Sequence, residues 1–200
     1  MSVTLDKNQF RQRLRAARRL LSAEERERAS HALSETIFKL AAFRASRRIA
    51  AYLPFDGEID PAPIAERARR LNKEFFLPVL SHIRSDRLWF APCPEHARMR
   101  ANRFGIPEPV VPARARVRAQ DLDLILLPLV GFDTDGNRLG MGAGFYDKSL
   151  AFLSYRRAWQ KPKIVGLAYE CQRVPHLPHE PWDVPLSGIA TERTLYWINR

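Results

Sequence analysis

The stretch that most limits the folds open to this chain is Leu122–Val130, LDLILLPLV. A near-continuous apolar run of this kind suits a strand covered on both faces, and such strands belong to parallel sheets flanked by helices. The residues that follow are punctuated. Thr134-Asp135-Gly136-Asn137 is a turn signal, Gly140, Gly142 and Gly144 alternate, and from Phe145 onward the pattern opens a helix. The order is therefore strand, turn, glycine loop, helix. Glycines let backbone N–H groups approach an anion closely, and a helix N-terminus adds positive dipole. A phosphate cradle is one reading of this loop, and a flexible turn is the other. It is not a Walker A loop, because no Gly-Lys-Ser/Thr follows. It is not a dinucleotide fingerprint either, because Phe145 stands where the third glycine would fall.

Elsewhere the chain alternates between helix and strand patterns. Within residues 5–21, Phe10, Leu14, Ala17 and Leu21 recur at helical spacing and form one apolar stripe. Lys7, Arg11, Arg15 and Arg18 line an adjacent face, readable as an anion clamp or as a solvated basic surface. Ser22, with Glu25 three residues on, makes a capping box for a second helix reaching about Phe43. Residues 47–55, 74–80, 88–90, 164–169 and 195–198 read as strands. Asp56-Gly57 marks a turn before Glu58, and Pro61 opens a helix to about Leu71. Residues 92–121 and 172–188 are Pro-rich and read as irregular, with Gly105–Pro109 as an ordered turn. This alternation predicts a single α/β domain over residues 1–200. It has three layers: a mostly parallel, Rossmann-like central sheet with helices on both faces. In such sheets ligands bind beyond the carboxyl ends of the strands, where Glu58 and the glycine loop both fall.

Charge narrows the partners. The chain has 33 Lys+Arg against 22 Asp+Glu, a net +11, which calls for anionic ligands. Neither a Cys/His finger nor an aromatic RNA-binding strand accompanies it, so no specific nucleic acid is expected. No run approaches the roughly 18 apolar residues of a membrane helix, and no apolar signal core precedes the first helix. Cys93 and Cys171 stand in no metal or redox spacing, which predicts free thiols in a reducing cytoplasm.

The segment Gly136-Asn137-Arg138-Leu139-Gly140-Met141-Gly142-Ala143-Gly144-Phe145-Tyr146-Asp147 resembles the signature of the 5-formyltetrahydrofolate cyclo-ligase family, G-x-R-L-G-x-G-x-G-[YF]-Y-D. Four more segments match in the family's order: Lys7-x-x-x-Arg11, Leu53–Asp60 (LPFDGEID), Gly105–Pro109 (GIPEP) and Trp182-Asp183. The resemblance implies the cyclo-ligase version of the fold. It also implies ATP-dependent closure of 5-formyltetrahydrofolate to 5,10-methenyltetrahydrofolate, with Mg²⁺ and release of ADP and phosphate. On the same resemblance, Lys7, Arg11, Arg138 and the stretch Leu139, Gly140, Met141, Gly142, Ala143, Gly144, Phe145 and Tyr146 hold ATP. Arg138, Lys7 and Tyr146 are the catalytic set, and Asp147 and Asp183 hold the metal. Leu53, Glu58, Met141, Gly142, Ala143, Gly144 and Phe145 face the folate, with or without a polyglutamate tail. Arg15 and Arg18 lie outside the motif and keep the solvated-face reading. Phe145 departs from the family's frequent Tyr, keeping the ring without the hydroxyl. A monomer is expected. The competing readings are a basic nucleic-acid-binding protein and a folate-binding relative without catalysis; intact Arg138, Asp147 and Asp183 argue against the second.

Overall fold

A computed structural model describes residues 6–80, 87–155, 161–180 and 183–198. Leu5 of the expected first helix and Trp182 of the late-loop match lie outside the described residues. Helices α1 (Lys7–Arg19), α2 (Ala23–Lys39) and α3 (Ala41–Ala45) precede strand β1 (Arg48–Ala50). Helix α4 (Ala62–Arg70) leads to β2 (Glu74–Leu80) and β3 (Leu88–Pro92), and β4 (Met99–Ala101) pairs with β5 (Pro107–Pro109) as a hairpin. Next come β6 (Leu124–Pro128) and a second hairpin of β7 (Gly131–Phe132) and β8 (Arg138–Leu139). Helix α5 (Phe145–Leu150), β9 (Lys163–Leu167), β10 (Gly188–Ala190) and β11 (Leu195–Trp197) complete the chain.

One seven-stranded sheet runs in the order β11-β10-β9-β6-β1-β2-β3. Its five inner strands are parallel, and β3 and β11 are antiparallel edges. Strand β6 sits at the centre, as its composition requires. Leu124 and Leu126 pack with Leu33, Ile37, Phe43 and Ile64 from α2, α3 and α4. Ile125 and Leu127 point the other way, toward Phe76, Leu122, Leu150 and Ile164. All four are at most 1% exposed, the period-two alternation of a strand between two layers. The second layer is built from α5 and 3₁₀ turns at Ala119–Asp121 and Ala151–Tyr155.

The chain order reverses between β1 and β6. From β1 the chain moves to β2 on one side; from β6 it moves to β9 and β10 on the other. Ala50 lies beside Ile125 in register, so the segments leaving these two strands diverge around one crevice. Open α/β sheets bind ligands at such a switch point.

Local signals explain most boundaries. Asp6 caps α1 and Ser22 caps α2, each with a reciprocal capping box. The single helix expected up to Phe43 instead breaks at Leu40, whose ψ of 129° is extended, and α3 then buries Phe43. The expected strand 47–55 keeps its sheet bonds only through the Ala51 N–H to the Phe76 carbonyl, 3.1 Å. Pro54 has no N–H to continue the ladder, and the chain turns away. Strand β10 begins within the segment expected to be loop. A Cβ on Gly188 would stand 2.9 Å from the Trp197 ring, so the absence of a side chain is what lets β11 lie beside it. Residues expected to be irregular contain the β4–β5 hairpin. Among the described residues, no helix is long and apolar enough to cross a membrane.

Leu126→Ala leaves a cavity between the sheet and the α2–α4 layer and should cost about 3 kcal/mol. Urea unfolding checks this: the midpoint falls while the slope is unchanged.

Candidate active site

The loop after β1 is pinned from above by α1. Asp56 and Gly57 both adopt positive φ, 52° and 76°, which turns the chain sharply. Three arginines of α1 converge on Asp56. Arg15 Nε donates to Oδ2 at 2.7 Å, Arg18 Nη2 to Oδ2 at 3.1 Å, and Arg19 Nε to Oδ1 at 2.7 Å. Arg18 also donates to the Asp56 carbonyl at 2.9 Å and to the Leu129 carbonyl, at the end of β6, at 3.4 Å. Burial opposes the Asp56 charge, but the hydrogen bonds from Arg19 and Arg15 outweigh it and hold its pKa below the ordinary value. The solvated-face reading of Arg15 and Arg18 is therefore wrong. The Arg18 side chain is 0% exposed, and helical spacing alone did not reveal the carboxylate it meets.

Glu58 lies two residues further on, its side chain almost fully buried. Its Oε2 accepts from the Phe55 N–H at 3.1 Å, and Arg18 stands 4.0 Å from Oε1. Burial raises its pKa to about 7, against the lowering effect of the Phe55 hydrogen bond and Arg18. Tyr52 and Tyr146 surround it. Burial first, then the Glu58 charge, pushes both phenols above their ordinary value. Tyr146 belongs to the glycine-loop segment, so Glu58 and Tyr146 bring the two sides of the crevice together.

On that second side, buried Asp133 shapes the β7–β8 hairpin. Its carboxylate accepts from the Asp135, Asn137 and Leu177 N–H groups and the Asn137 amide at 2.9–3.1 Å. Asp133, Asp135 and His176 bring three ligand atoms together, but Asp133 is already committed to those donors. Strand β8 then delivers Arg138, nearly buried, whose guanidinium donates to the Val184 carbonyl and to Asp147. Burial lowers its pKa while the charges of Asp147 and Asp183 support it. These two carboxylates thus flank one guanidinium. Asp183 Oδ2 also accepts from the Glu180 N–H at 2.9 Å and lies 3.7 Å from Lys7 Nζ. Among the described residues, each has one carboxylate oxygen without a hydrogen bond, and both side chains are partly exposed. That donor set fits Mg²⁺, which takes oxygen ligands and retains waters.

Gly140–Ala143 are exposed, and Gly142 and Gly144 have φ of 105° and 68°, a conformation side chains rarely adopt. Arg11 lies against this loop. Its Nε donates to the Gly140 carbonyl at 2.9 Å, and a Cβ on Gly142 would stand 3.7 Å from its guanidinium. Lys7 reaches Glu180 at 3.4 Å. All four cations on the α1 face therefore meet other segments of the chain, which leaves the nucleic-acid reading without a free basic surface there. The helix expected to add positive dipole is α5, only six residues long.

Large apolar side chains stand exposed on three loops at this end: Phe55, Phe104 and Met141. Leu53, on the same loop as Phe55, is partly buried and packs against the core. Phe104, at the tip of the β4–β5 hairpin, meets the Phe145 ring edge-on at 6.4 Å. Sequence reasoning missed Phe104, Arg18, Asp56 and Tyr52. For Phe104 the available signal was an aromatic side chain at a turn.

A family model for the 5-formyltetrahydrofolate cyclo-ligase family matches residues 3–192. This chain belongs to that family. It is 38% identical over 188 residues to the 5-formyltetrahydrofolate cyclo-ligase of Haemophilus influenzae, covering 93% of this chain and 97% of that one. It is 35% identical to the Escherichia coli protein of the same name over 180 residues, covering 89% and 96%. The solution structure of Aquifex aeolicus 5,10-methenyltetrahydrofolate synthetase superimposes with a TM-score of 0.81 at 32% identity, covering 97% of this chain and 93% of that one. The cyclo-ligase fold is thus the three-layer α/β fold described above.

Two outcomes test the electrostatics. Asp56→Ala leaves Arg18 buried without its carboxylate and should cost about 3–5 kcal/mol, read by chemical denaturation. Glu58 takes up its proton near pH 7 when folded against an ordinary 4.5. The folded state therefore binds more protons between those values, and stability falls as pH rises through that window. Glu58→Gln should flatten this slope in melting curves recorded between about pH 5 and 8.

Proposed function

We propose that this protein uses ATP to close 5-formyltetrahydrofolate into 5,10-methenyltetrahydrofolate, releasing ADP and phosphate. The observation that carries this reading is the joint site. Glu58 and Tyr146 face each other across the switch point, while Arg138, flanked by Asp147 and Asp183, lies beside a glycine loop backed by Arg11.

Each residue has a physical task in this chemistry. Arg138, Lys7 and Arg11 would hold the triphosphate, with the Leu139–Tyr146 backbone as its bed; charge-assisted contacts of this kind are the strong ones. Asp147 and Asp183 would hold Mg²⁺, which neutralises phosphate oxygens when bound. Glu58 would accept hydrogen bonds from the pterin N–H donors, as a carboxylate takes two at once. Phe145, Phe104 and Met141 would cover the rings. The formyl oxygen attacks the γ-phosphorus and ADP leaves. The N10 lone pair then attacks the activated carbon, N10 loses its proton, and the N5 lone pair expels phosphate. The product is the N5–C–N10 amidinium. Phosphorylation turns a poor leaving oxygen into a good one, and the protein's part is positioning and charge neutralisation. The free Cys93 and Cys171 accord with a cytoplasmic setting.

The test is to incubate the protein with 5-formyltetrahydrofolate and MgATP and follow the methenyl chromophore in the near ultraviolet. ATP-dependent appearance is expected, and no signal would sink the proposal. Arg138→Gln should lower kcat by about 10²-fold or more, with the thermal midpoint recorded alongside to separate chemistry from folding.

A further inference from the structure

A cavity of 620 Å³ opens beyond the carboxyl ends of β9 and β10, on the α2 side of the sheet. That volume lies within the range of small-molecule sites. The cavity shares no residue with the crevice described above. Its apolar part is Leu21, Ala29 and Ala32, from α2 and the residue before its cap. Another wall is Tyr169, at the head of the 3₁₀ turn Glu170–Gln172. Tyr169 is 2% exposed, and its hydroxyl is buried with no hydrogen-bond partner among the described residues. Burial pushes its pKa up to about 12, so the phenol is a neutral O–H donor throughout the physiological range. Arg26, whose charge acts on that phenol more than any other, also keeps Nε buried without a partner. A buried donor left unsatisfied is unfavourable until something supplies an acceptor.

The charged side chains around the cavity are not equivalent. Glu170 is committed to Thr191, Tyr196 and Arg173 at 2.7–2.9 Å. Glu192 accepts from the Glu170 N–H at 2.9 Å and pairs with Arg193. Glu25 closes the α2 capping box by accepting from the Ser22 N–H at 2.7 Å. Arg28, exposed on α2 and also part of the wall, forms no hydrogen bond or ion pair among the described residues. The acids are thus met by the chain's own donors, and what remains is a buried O–H and an unpaired guanidinium. We propose that this cavity binds a small organic anion. Its oxygens would accept from Tyr169 and face Arg28, while its apolar body covers Leu21, Ala29 and Ala32. A carboxylate and a phosphate monoester share this chemistry. The site does not depend on the folate reading of the crevice, but it is joined to it. The Tyr169 N–H donates to Gln172 Oε1 at 2.9 Å, and the Gln172 amide donates at 2.6 Å to the Leu129 carbonyl, which also receives Arg18. An anion held against Tyr169 therefore braces the turn that backs the end of β6.

Fluorine NMR titration of the full chain tests this, with 4-fluorobenzoate as the carboxylate probe and 4-fluorophenyl phosphate as the phosphate probe. At least one should bind with a Kd of about 1 mM or tighter, and the tighter of the two identifies the head group. Tyr169→Phe keeps the ring and removes only the O–H. It should weaken that probe about tenfold, the worth of a hydrogen bond to a charged group. Arg28→Gln, on an exposed helix face, should weaken it about threefold. Without either probe, Tyr169→Phe should leave the thermal midpoint unchanged or raise it, because no hydrogen bond is lost. Binding of neither probe would overturn the site. So would binding that Tyr169→Phe leaves unaltered, which would put the anion on cations elsewhere. A lowered midpoint for Tyr169→Phe in the probe-free protein would also overturn it, by showing that water already partners the hydroxyl.

Discussion

The buried ion pair between Arg18 and Asp56 is the interaction on which the crevice depends. A guanidinium taken fully out of water loses several kcal/mol of hydration, and a single carboxylate does not by itself restore it. Here the Arg18 donors are shared among the Asp56 side chain, the Asp56 carbonyl and the Leu129 carbonyl. One side chain thus joins α1 to the loop after β1 and to the end of β6. Glu58 is two residues from the clamp, and Arg11 and Lys7 lie two and three turns up the same helix. Moving the clamp would shift both sides of the proposed site.

Topology explains why so short a loop can carry so much. The parallel strands diverge between β1 and β6, so the chain leaves both carboxyl ends without a helix filling the gap between them. The gap is closed instead by α1, which belongs to neither crossover. Its apolar side meets Val130, Leu139, Val174 and Leu177 through Leu14, and its cations meet the loops.

The parts of this arrangement were legible in the sequence to very different degrees. Strand β6 was plain because both its faces are buried, and the two N-terminal helices were plain because their caps and stripes are regular. Strand β10 was not, because three residues opening with Gly188 carry no period. Arg18 shares its helical spacing with cations that reach solvent, so the pattern showed a face but not what that face touches. Asp56 looked like an ordinary turn residue, and its three partners lie about forty positions away. The glycine loop alone left two readings open. Spacing offered Lys7 as one of four cations on a face, and strand order put Glu58 at the ligand-binding end, but only the family resemblance gave these two and Asp183 a role, and it passed over Arg18 and Phe104.

The two ends of α1 are fastened by contacts of different character. At one end Lys7 meets Glu180 and Asp183 with all three side chains partly open to water. At the other, Arg18 and Asp56 are closed off from it. Dissolved ions weaken exposed pairs within a Debye length of about 8 Å at physiological ionic strength, and reach enclosed pairs far less. Rising ionic strength should therefore loosen α1 from its Lys7 end while the Arg18 end stays fixed. The helix then behaves as an arm hinged at Asp56, with its free tip over the glycine loop.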